Sequence, residues 1–343
     1  MKSRFALLPR FIQKVILAIP RIDWNVFLKH QEKRKICIYK VDRIGDFVLA
    51  MGGIRFLANK FGEKELVLVV STISGALAKK EFPLATVIEV KPFGGSFCWM
   101  GYYEWFHFRI KIKSYHFKYL LSLRHHRLDY DDILLNWISC DQSFGIKRCA
   151  VKEELVWCFQ FSIELDYPEF RDGYLSKELL ATKMLLQSFE LGNDSLMLPD
   201  FKTFPVGQKG YILCSPFASH AEKDFPRDKL FDVLINGEVF KEQKIIITSV
   251  ESDSERVDSL LRYLSSDESQ SNDRVVSRFP KSLSDYIQLI ANASFILTVD
   301  TATAHIATAF DKPVVVLFGG GHFDSFGPWF KSNNQEWAFN KLE

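Results

Sequence analysis

Short apolar runs alternate along this chain with stretches whose apolar residues recur at helical spacing. A run of Val, Ile and Leu closed by turn residues reads as a buried strand, and recurrence near every 3.6 residues reads as a helix. In the first half, 35–40 reads as strand, 47–60 as helix, Glu65–Val70 as strand and Lys118–Leu123 as strand. The stretch 93–117 breaks the pattern. It holds ten aromatic residues, interleaved with Arg109, Lys111 and Lys113, starts at Gly94-Gly95 and has no clean period. It is predicted to be an insertion or long loop between sheet elements. Acceptor binding, a dip into a bilayer and a plain hydrophobic core all remain open for it.

The pattern weakens from about 160 to 208, where Pro168, Gly173, Gly192, Pro199 and Pro205 punctuate the chain, which places a domain junction here. A second alternation follows. Tyr211–Cys214 reads as strand, Arg227–Phe240 as helix, Lys244–Thr248 as strand, Ser254–Leu264 as helix and Val275–Val276 as a short strand. Ser282 to Asp285 looks like a helix start, with the helix running to Ala291. Phe295–Val299, Thr301–Phe310 and Val314–Phe318 complete it as strand, helix and strand. The expected fold class is α/β, two Rossmann-like doubly wound domains facing across a cleft, with ligands at the carboxyl ends of the strands. The expected division is a segment 1–34, a domain 35–190 and a domain 191–343.

Composition sharpens this in two places. The net charge is only +2, yet residues 1–35 carry nine Lys or Arg against Asp23 and Glu32, leaving +7 there and −5 over the remainder. Phe11, Ile12, Val15, Ile16 and Ile19 share one helical face, with Pro9 and Pro20 at its ends. A basic helix with an apolar face can lie in the headgroup region of an anionic membrane; the same pattern also describes a helix packed on its own domain. Lys14 and Arg21 interrupt the apolar region that a signal peptide would need. The six cysteines show no CxxC and no metal-ligand spacing, which suits free thiols in a reducing cytoplasm. No run reaches the length that spans a bilayer.

Three stretches carry candidate chemistry, each at the carboxyl end of a predicted strand. The first is Asp42-Arg43-Ile44-Gly45-Asp46, between strand 35–40 and the helix after it. From the residues alone, Asp46 reads as an N-cap. The second is Ser215-Pro216-Phe217-Ala218-Ser219, followed by Lys223-Asp224-Phe225-Pro226. Lys223 there is a candidate partner for phosphate charge. The third is Asp300-Thr301-Ala302-Thr303-Ala304-His305. Small residues let backbone N–H groups approach a ligand, a helix N-terminus favours phosphate, and His305, one turn in, can add a donor. Gly319 and Gly320, after strand Val314–Phe318, can line the same pocket. Glu255, opening a helix after strand Lys244–Thr248, can take a ribose hydroxyl or simply complement the helix dipole. Arg124, His125, His126 and Arg127 close strand Lys118–Leu123 and suit an anionic acceptor, with Arg43 adding to them.

In this order the three stretches resemble glycosyltransferase family 9, the heptosyltransferases of bacterial lipopolysaccharide and related surface glycans. That family shows an S/D-x-x-G-D turn, a K-x-W-P element and D-[ST]-G-x-x-H followed by P-x-x-x-L-[FY]-G. Here these are Asp42 to Asp46, Lys223 to Pro226 with Phe225 for Trp, and Asp300 to His305 followed by Pro313 and Phe318-Gly319. The resemblance covers roughly 35–330. Ala302 stands where the family has Gly, and Gly319-Gly320-Gly321-His322 replaces a G-P-T/S turn, as in members associated with capsule and O-antigen loci.

The resemblance implies a GT-B fold, inversion at the anomeric carbon, no metal and no other cofactor. It implies an ADP-linked nucleotide-diphosphate sugar as donor and an anionic glycan or lipid-linked acceptor. The cysteine pattern suits a cytoplasmic protein, and the basic N-terminal segment leaves open a peripheral contact with the inner face of the inner membrane. The resemblance makes Asp46 the general base that takes the acceptor hydroxyl's proton. Asp300 would anchor its loop or accept from the donor sugar. A nicotinamide oxidoreductase is disfavoured, because no G-x-G-x-x-G follows a strand. Nucleic acid is disfavoured, because nothing matches a reader module. A non-catalytic nucleotide-sugar or glycan-binding relative is the alternative.

Overall fold

A computed structural model describes residues 32–91, 99–148, 158–168, 176–188, 198–207, 210–219, 221–265, 274–318, 323–327 and 329–339. The predicted N-terminal helix, the start of the aromatic stretch, and Gly319 and Gly320 lie outside these residues. The described residues fall into two compact units, one within Met1–Pro168 and Leu180–Met197, the other within Glu169–Leu179 and Leu198–Glu343.

The first unit holds β1 (Glu32–Lys40), β2 (Leu66–Ser71), β3 (Thr86–Val90), β4 (Tyr115–Ser122), β5 (Cys140–Ile146) and β6 (Ile163–Leu165), with helices α1 (Ile44–Phe61), α2 (Thr72–Glu81), α3 (Trp99–Lys113) and α4 (Asp129–Leu135). The strands form one sheet in the order β3-β2-β1-β4-β5-β6, and every pairing is parallel. β2 is buried along its whole length. A parallel sheet covered on both faces requires such continuous apolar strands. The register Ile36↔Leu66 and Ile36↔Tyr119 sets β1 between β2 and β4. Helix α5 (Lys177–Gln187) follows in the chain. Its Thr182 packs on α1 so closely that a Cβ at Gly53 would come within 2.7 Å of the threonine methyl.

The predicted loop at 93–117 is corrected over its described part, which is helix α3 and the start of β4. Trp105, Phe108 and Ile112 point into the core at helical spacing beside a buried Arg109, while Phe106 and Ile110 are exposed on the other side. Apolar residues on both faces erase the amphipathic period that would have marked the helix.

The second unit repeats the plan with β7 (Tyr211–Ser215), β8 (Lys244–Thr248), β9 (Val275–Arg278), β10 (Phe295–Val299), β11 (Val314–Phe318) and β12 (Gln335–Phe339). Its helices are α6 (Arg227–Phe231), α7 (Ser254–Leu264), α8 (Leu283–Asn292), α9 (Ala302–Ala309) and the short α10 (Phe323–Phe326). Its sheet order is β12-β11-β10-β7-β8-β9, again all parallel. The predicted helix Arg227–Phe240 is shorter than expected. After Phe231 the chain widens into a π turn over Asp232–Asn236, and Gly237 leaves helical geometry at φ −66°, ψ 119°. A Cβ at Gly237 would lie 2.2 Å from the Val233 carbonyl oxygen, so no other residue fits this bend without movement.

Numbered from its own first strand, each sheet has the order 3-2-1-4-5-6. Connections leave the first strand to one side and the fourth to the other, opening a crevice at the carboxyl ends of those two strands where ligands bind. The switch points are β1/β4 in the first unit and β7/β10 in the second. All three candidate stretches follow one of these four strands.

Candidate active site

At the first switch point, α1 begins after Arg43, whose side chain makes no cap. Asp46 is therefore not an N-cap. It is the third helical residue, half-buried, in the electropositive first turn. Beneath it lies Asp42, whose Oδ1 is 2.6 Å from Arg124 Nη1 and whose Oδ2 is 3.2 Å from Lys40 Nζ. The Asp42 carboxyl is also in hydrogen-bond contact with the side chain of Asp46. Burial pushes Asp42 up, but Lys40 and Arg124 outweigh it and hold the carboxyl below its ordinary range. Arg124 further donates from Nε to Asp131 Oδ2 at 2.7 Å and from Nη2 to Tyr130 Oη at 3.1 Å. Tyr39 Oη donates to Asp131 Oδ1 at 2.7 Å. Burial raises Asp131 to about 6 against the pull of Arg124.

The four residues 124–127 do not form a single basic surface. Arg124, His125 and Arg127 are buried. Arg127 donates to Asp132 Oδ1 at 2.7 Å and to the Phe159 carbonyl at 3.0 Å, and it stacks 4.5 Å over the Phe161 ring. His125 Nε2 lies 3.3 Å from Thr182 Oγ1. Only His126 and Arg43 are exposed, with the His126 ring 4.8 Å from that of Tyr167. Sequence reasoning placed Asp42 in the candidate stretch without a role of its own and missed Lys40, Asp131 and Tyr39 as parts of this site. The available signal was a lysine ending an otherwise buried apolar strand.

At the second switch point, Asp224 organises the loop after β7. Its Oδ1 accepts from Ala218 N at 2.9 Å, and its Oδ2 pairs with Arg256, whose guanidinium lies 4.4 Å over Phe217. Phe225 is buried in the core, where the family has Trp, and Pro226 precedes α6 with φ −58°. The loop thus fixed holds Lys223 with its Nζ 3.4 Å from Asp300 Oδ2. After β10, Thr301 is extended and α9 starts at Ala302. Thr303 Oγ1 donates to Ser215 Oγ at 3.3 Å, and Thr301 Oγ1 donates to Thr303 Oγ1 at 3.2 Å. Thr298 and Tyr286 add their hydroxyls to the cluster. Ser215, Lys223, Asp300, Thr301, Ala302 and Thr303 therefore converge. Glu255 is exposed in the first turn of α7, which fits the dipole reading. Arg256, Tyr286 and Thr298 escaped the sequence reasoning; nothing local in their surroundings marks them.

His305 is buried on the second turn-face of α9 between Trp329 and Trp337. An indole N–H can only donate, and Trp329 Nε1 lies 3.1 Å from His305 Nδ1. Nδ1 is thus the acceptor and the neutral ring carries its proton on Nε2. Burial pushes the imidazole down to about 4, opposed by Asp300. The unfolded imidazole takes its proton near 6.5. Between those values the unfolded chain binds more protons, so stability present above pH 6.5 is lost as pH falls towards 4, by on the order of 3 kcal/mol. Urea unfolding followed from pH 7 to pH 4 will show this loss, and His305→Gln will flatten it.

Among the described residues, no group of three His, Cys, Asp or Glu side chains is disposed to hold a metal ion, and no helix is long and apolar enough to cross a membrane.

Two doubly wound parallel sheets of this order give the GT-B architecture seen in heptosyltransferase structures. The chain belongs to glycosyltransferase family 9 (heptosyltransferase), whose model matches residues 147–342. That match takes in Lys223, Asp300 and His305 but not Asp46. Solved structures agree in fold. The E. coli heptosyltransferase WaaC, solved with ADP, is 15% identical, with 89% of this chain and 93% of that chain covered at a TM-score of 0.65. A family 9 glycosyltransferase from Veillonella parvula is 11% identical, with coverages of 90% and 86% and a TM-score of 0.69. The E. coli ADP-heptose lps heptosyltransferase II is 14% identical, with coverages of 89% and 90% and a TM-score of 0.60. No curated protein matches the chain.

Proposed function

We propose that this glycosyltransferase moves a heptose or related sugar from an ADP-linked donor to a bacterial surface glycan or glycolipid, with inversion and without a metal. The second unit binds the donor. The observation that carries this is the cluster at β7/β10, where Lys223 reaches Asp300 just before the start of α9 and the hydroxyls of Ser215, Thr301 and Thr303 link to one another. A helix start and a lysine supply fixed positive potential where the leaving diphosphate gains charge. Asp300 holds Lys223 rather than touching the diphosphate, which a carboxylate would repel. The Nε2–H of His305 adds a neutral donor. The ring need not be charged.

The first unit binds the acceptor and supplies Asp46. A hydroxyl is a poor nucleophile until its proton is withdrawn, and a carboxylate in hydrogen-bond reach does that. Arg43 and His126, the exposed members of the basic set, are the residues for an anionic acceptor. The outer face of α3, with Phe106, Ile110 and Lys111 exposed, together with the basic segment before residue 32, suits contact with a membrane surface on the cytoplasmic side.

The test is thermal stabilisation by a panel of nucleotide sugars. ADP-linked sugars will raise the melting temperature, and NADH and oligonucleotides will not. Lys223→Ala will weaken ADP-sugar binding roughly 10- to 100-fold, the worth of a hydrogen bond to a charged group. Equal stabilisation by every nucleotide, or unaltered affinity in Lys223→Ala, would overturn the assignment of the donor site.

A further inference from the structure

Lys223 sits on a loop, at the end of the short turn Ala221–Lys223 between β7 and α6. A charge carried by a loop is only as well placed as the loop itself. Two hydrogen bonds close this loop on itself. Phe225 N donates to the Pro216 carbonyl at 2.9 Å, and Ala218 N donates to Asp224 Oδ1 at 2.9 Å. A third tie comes from the connection after the neighbouring strand β8. Arg256, in the first turn of α7, donates from Nη2 to Asp224 Oδ2 and from Nη1 to Asp253 Oδ1, the latter at 2.9 Å. Asp253 Oδ2 accepts in turn from Ser249 Oγ at 2.6 Å. The guanidinium lies 4.4 Å over the Phe217 ring. A continuous chain thus runs from the end of β8 through Asp253, Arg256 and Asp224 to the loop that carries Lys223.

The side chains of Arg256, Asp224 and Asp253 are 35%, 20% and 21% exposed. Ion pairs this open to water add little to stability, so the main effect of the clasp is on position and charge. Asp224 is the chain neighbour of Lys223. Without Arg256 its carboxylate would lose that cation one residue from the Lys223 ammonium, which already meets Asp300 at 3.4 Å. Two carboxylates would then compete with a diphosphate for one lysine. We infer that Arg256 is a positioning residue for the donor site: it ties Asp224 to the β8 connection, holds the Lys223 loop in place and leaves the ammonium to the diphosphate. A planar guanidinium suits this role, because it serves two carboxylates and an aromatic face at once, as an ammonium does not. The inference rests on the reading that Lys223 binds the donor's diphosphate.

Calorimetric titration with ADP tests it through a double-mutant cycle. Lys223→Ala will weaken ADP binding roughly 10- to 100-fold. Arg256→Met, which keeps an apolar stem over Phe217, will weaken it roughly three- to tenfold, while the melting temperature stays within about 2 °C. In the Lys223→Ala background Arg256→Met will cost nothing further, because the arginine acts through the lysine. Arg256→Lys will recover part of the loss. Should Arg256→Met fold poorly, Asp253→Asn serves in its place. It loosens the tie to the β8 connection with Arg256 still present, and its effect will also vanish in Lys223→Ala. Unchanged ADP affinity in Arg256→Met overturns the inference. So does a loss of the same size with and without Lys223, which would make the arginine a direct contact of the nucleotide or a purely structural one. Unchanged affinity in Lys223→Ala refutes the reading of the donor site itself.

Discussion

Asp46→Asn will lower the turnover number by about 10²- to 10⁴-fold, the usual worth of a general base, and will leave donor affinity where it was. The substitution keeps the size and the hydrogen-bonding outline of the side chain but removes its ability to take a proton. Asp46 stands in the third position of α1, at the β1/β4 switch point, while the groups assigned to the diphosphate stand at the β7/β10 switch point of the other unit. The expectation follows from the proposed division of labour, with the base in the first unit and the diphosphate site in the second. Folding should survive, since an acid in a helix's first turn is worth only about 0.3–1 kcal/mol. Calorimetry with ADP-heptose, beside initial rates of sugar transfer, separates the two effects. Retained turnover with lost donor affinity would remove Asp46 from catalysis.

The parts of this fold that were legible in the sequence are those with a clear apolar pattern, a short run in the strands and a helical period in Ser254–Leu264. Lys244–Thr248, Ser254–Leu264, Phe295–Val299 and Val314–Phe318 have the bounds expected from their apolar patterns. β5, with the sequence CDQSFGI, and β12, with QEWAF, carry polar residues through much of their length and gave no such run. Helix α3 failed for the opposite reason, because aromatic residues surround it. In the second unit, the convergence of Ser215, Lys223, Asp300, Thr301 and Thr303 follows from motif position alone, because motif and switch point coincide in a doubly wound sheet. Residues 124–127 show the limit of that logic. A strand's carboxyl end faces a ligand crevice, but its side chains can equally turn back to a helix that follows, and α4 offers Asp131 and Asp132. Two acids within a few residues of two arginines were the signal that the arginines had partners of their own.

That difference has the second large consequence. Arg127→Ala will destabilise the protein by about 3–5 kcal/mol, the range for breaking one side of a buried ion pair, and will leave the KM for an anionic acceptor nearly unchanged. The Arg127 side chain is 1% exposed and that of Asp132 is fully buried. Loss of the guanidinium leaves the Asp132 carboxylate with Arg148, at 2.5 Å, and a backbone hydrogen bond from Phe159. It also strips a donor from the Phe159 carbonyl at 3.0 Å and from the Ile146 carbonyl at 3.4 Å. The cation stacked on Phe161 goes too, and that ring fills the space above Gly145, where a Cβ would lie 2.1 Å from it. At roughly 2–4 °C per kcal/mol for a domain of this size, the melting temperature should fall by about 10 °C. Arg127→Lys should not rescue it, because an ammonium cannot serve a carboxylate and two carbonyls in a planar fork. Arg43→Ala, on the exposed side of the same switch point, should do the reverse and raise acceptor KM without moving the melting temperature. If Arg127→Ala instead raised acceptor KM at unchanged stability, the arginine would have to turn outward to the substrate, and the buried pair with Asp132 would not describe the working enzyme.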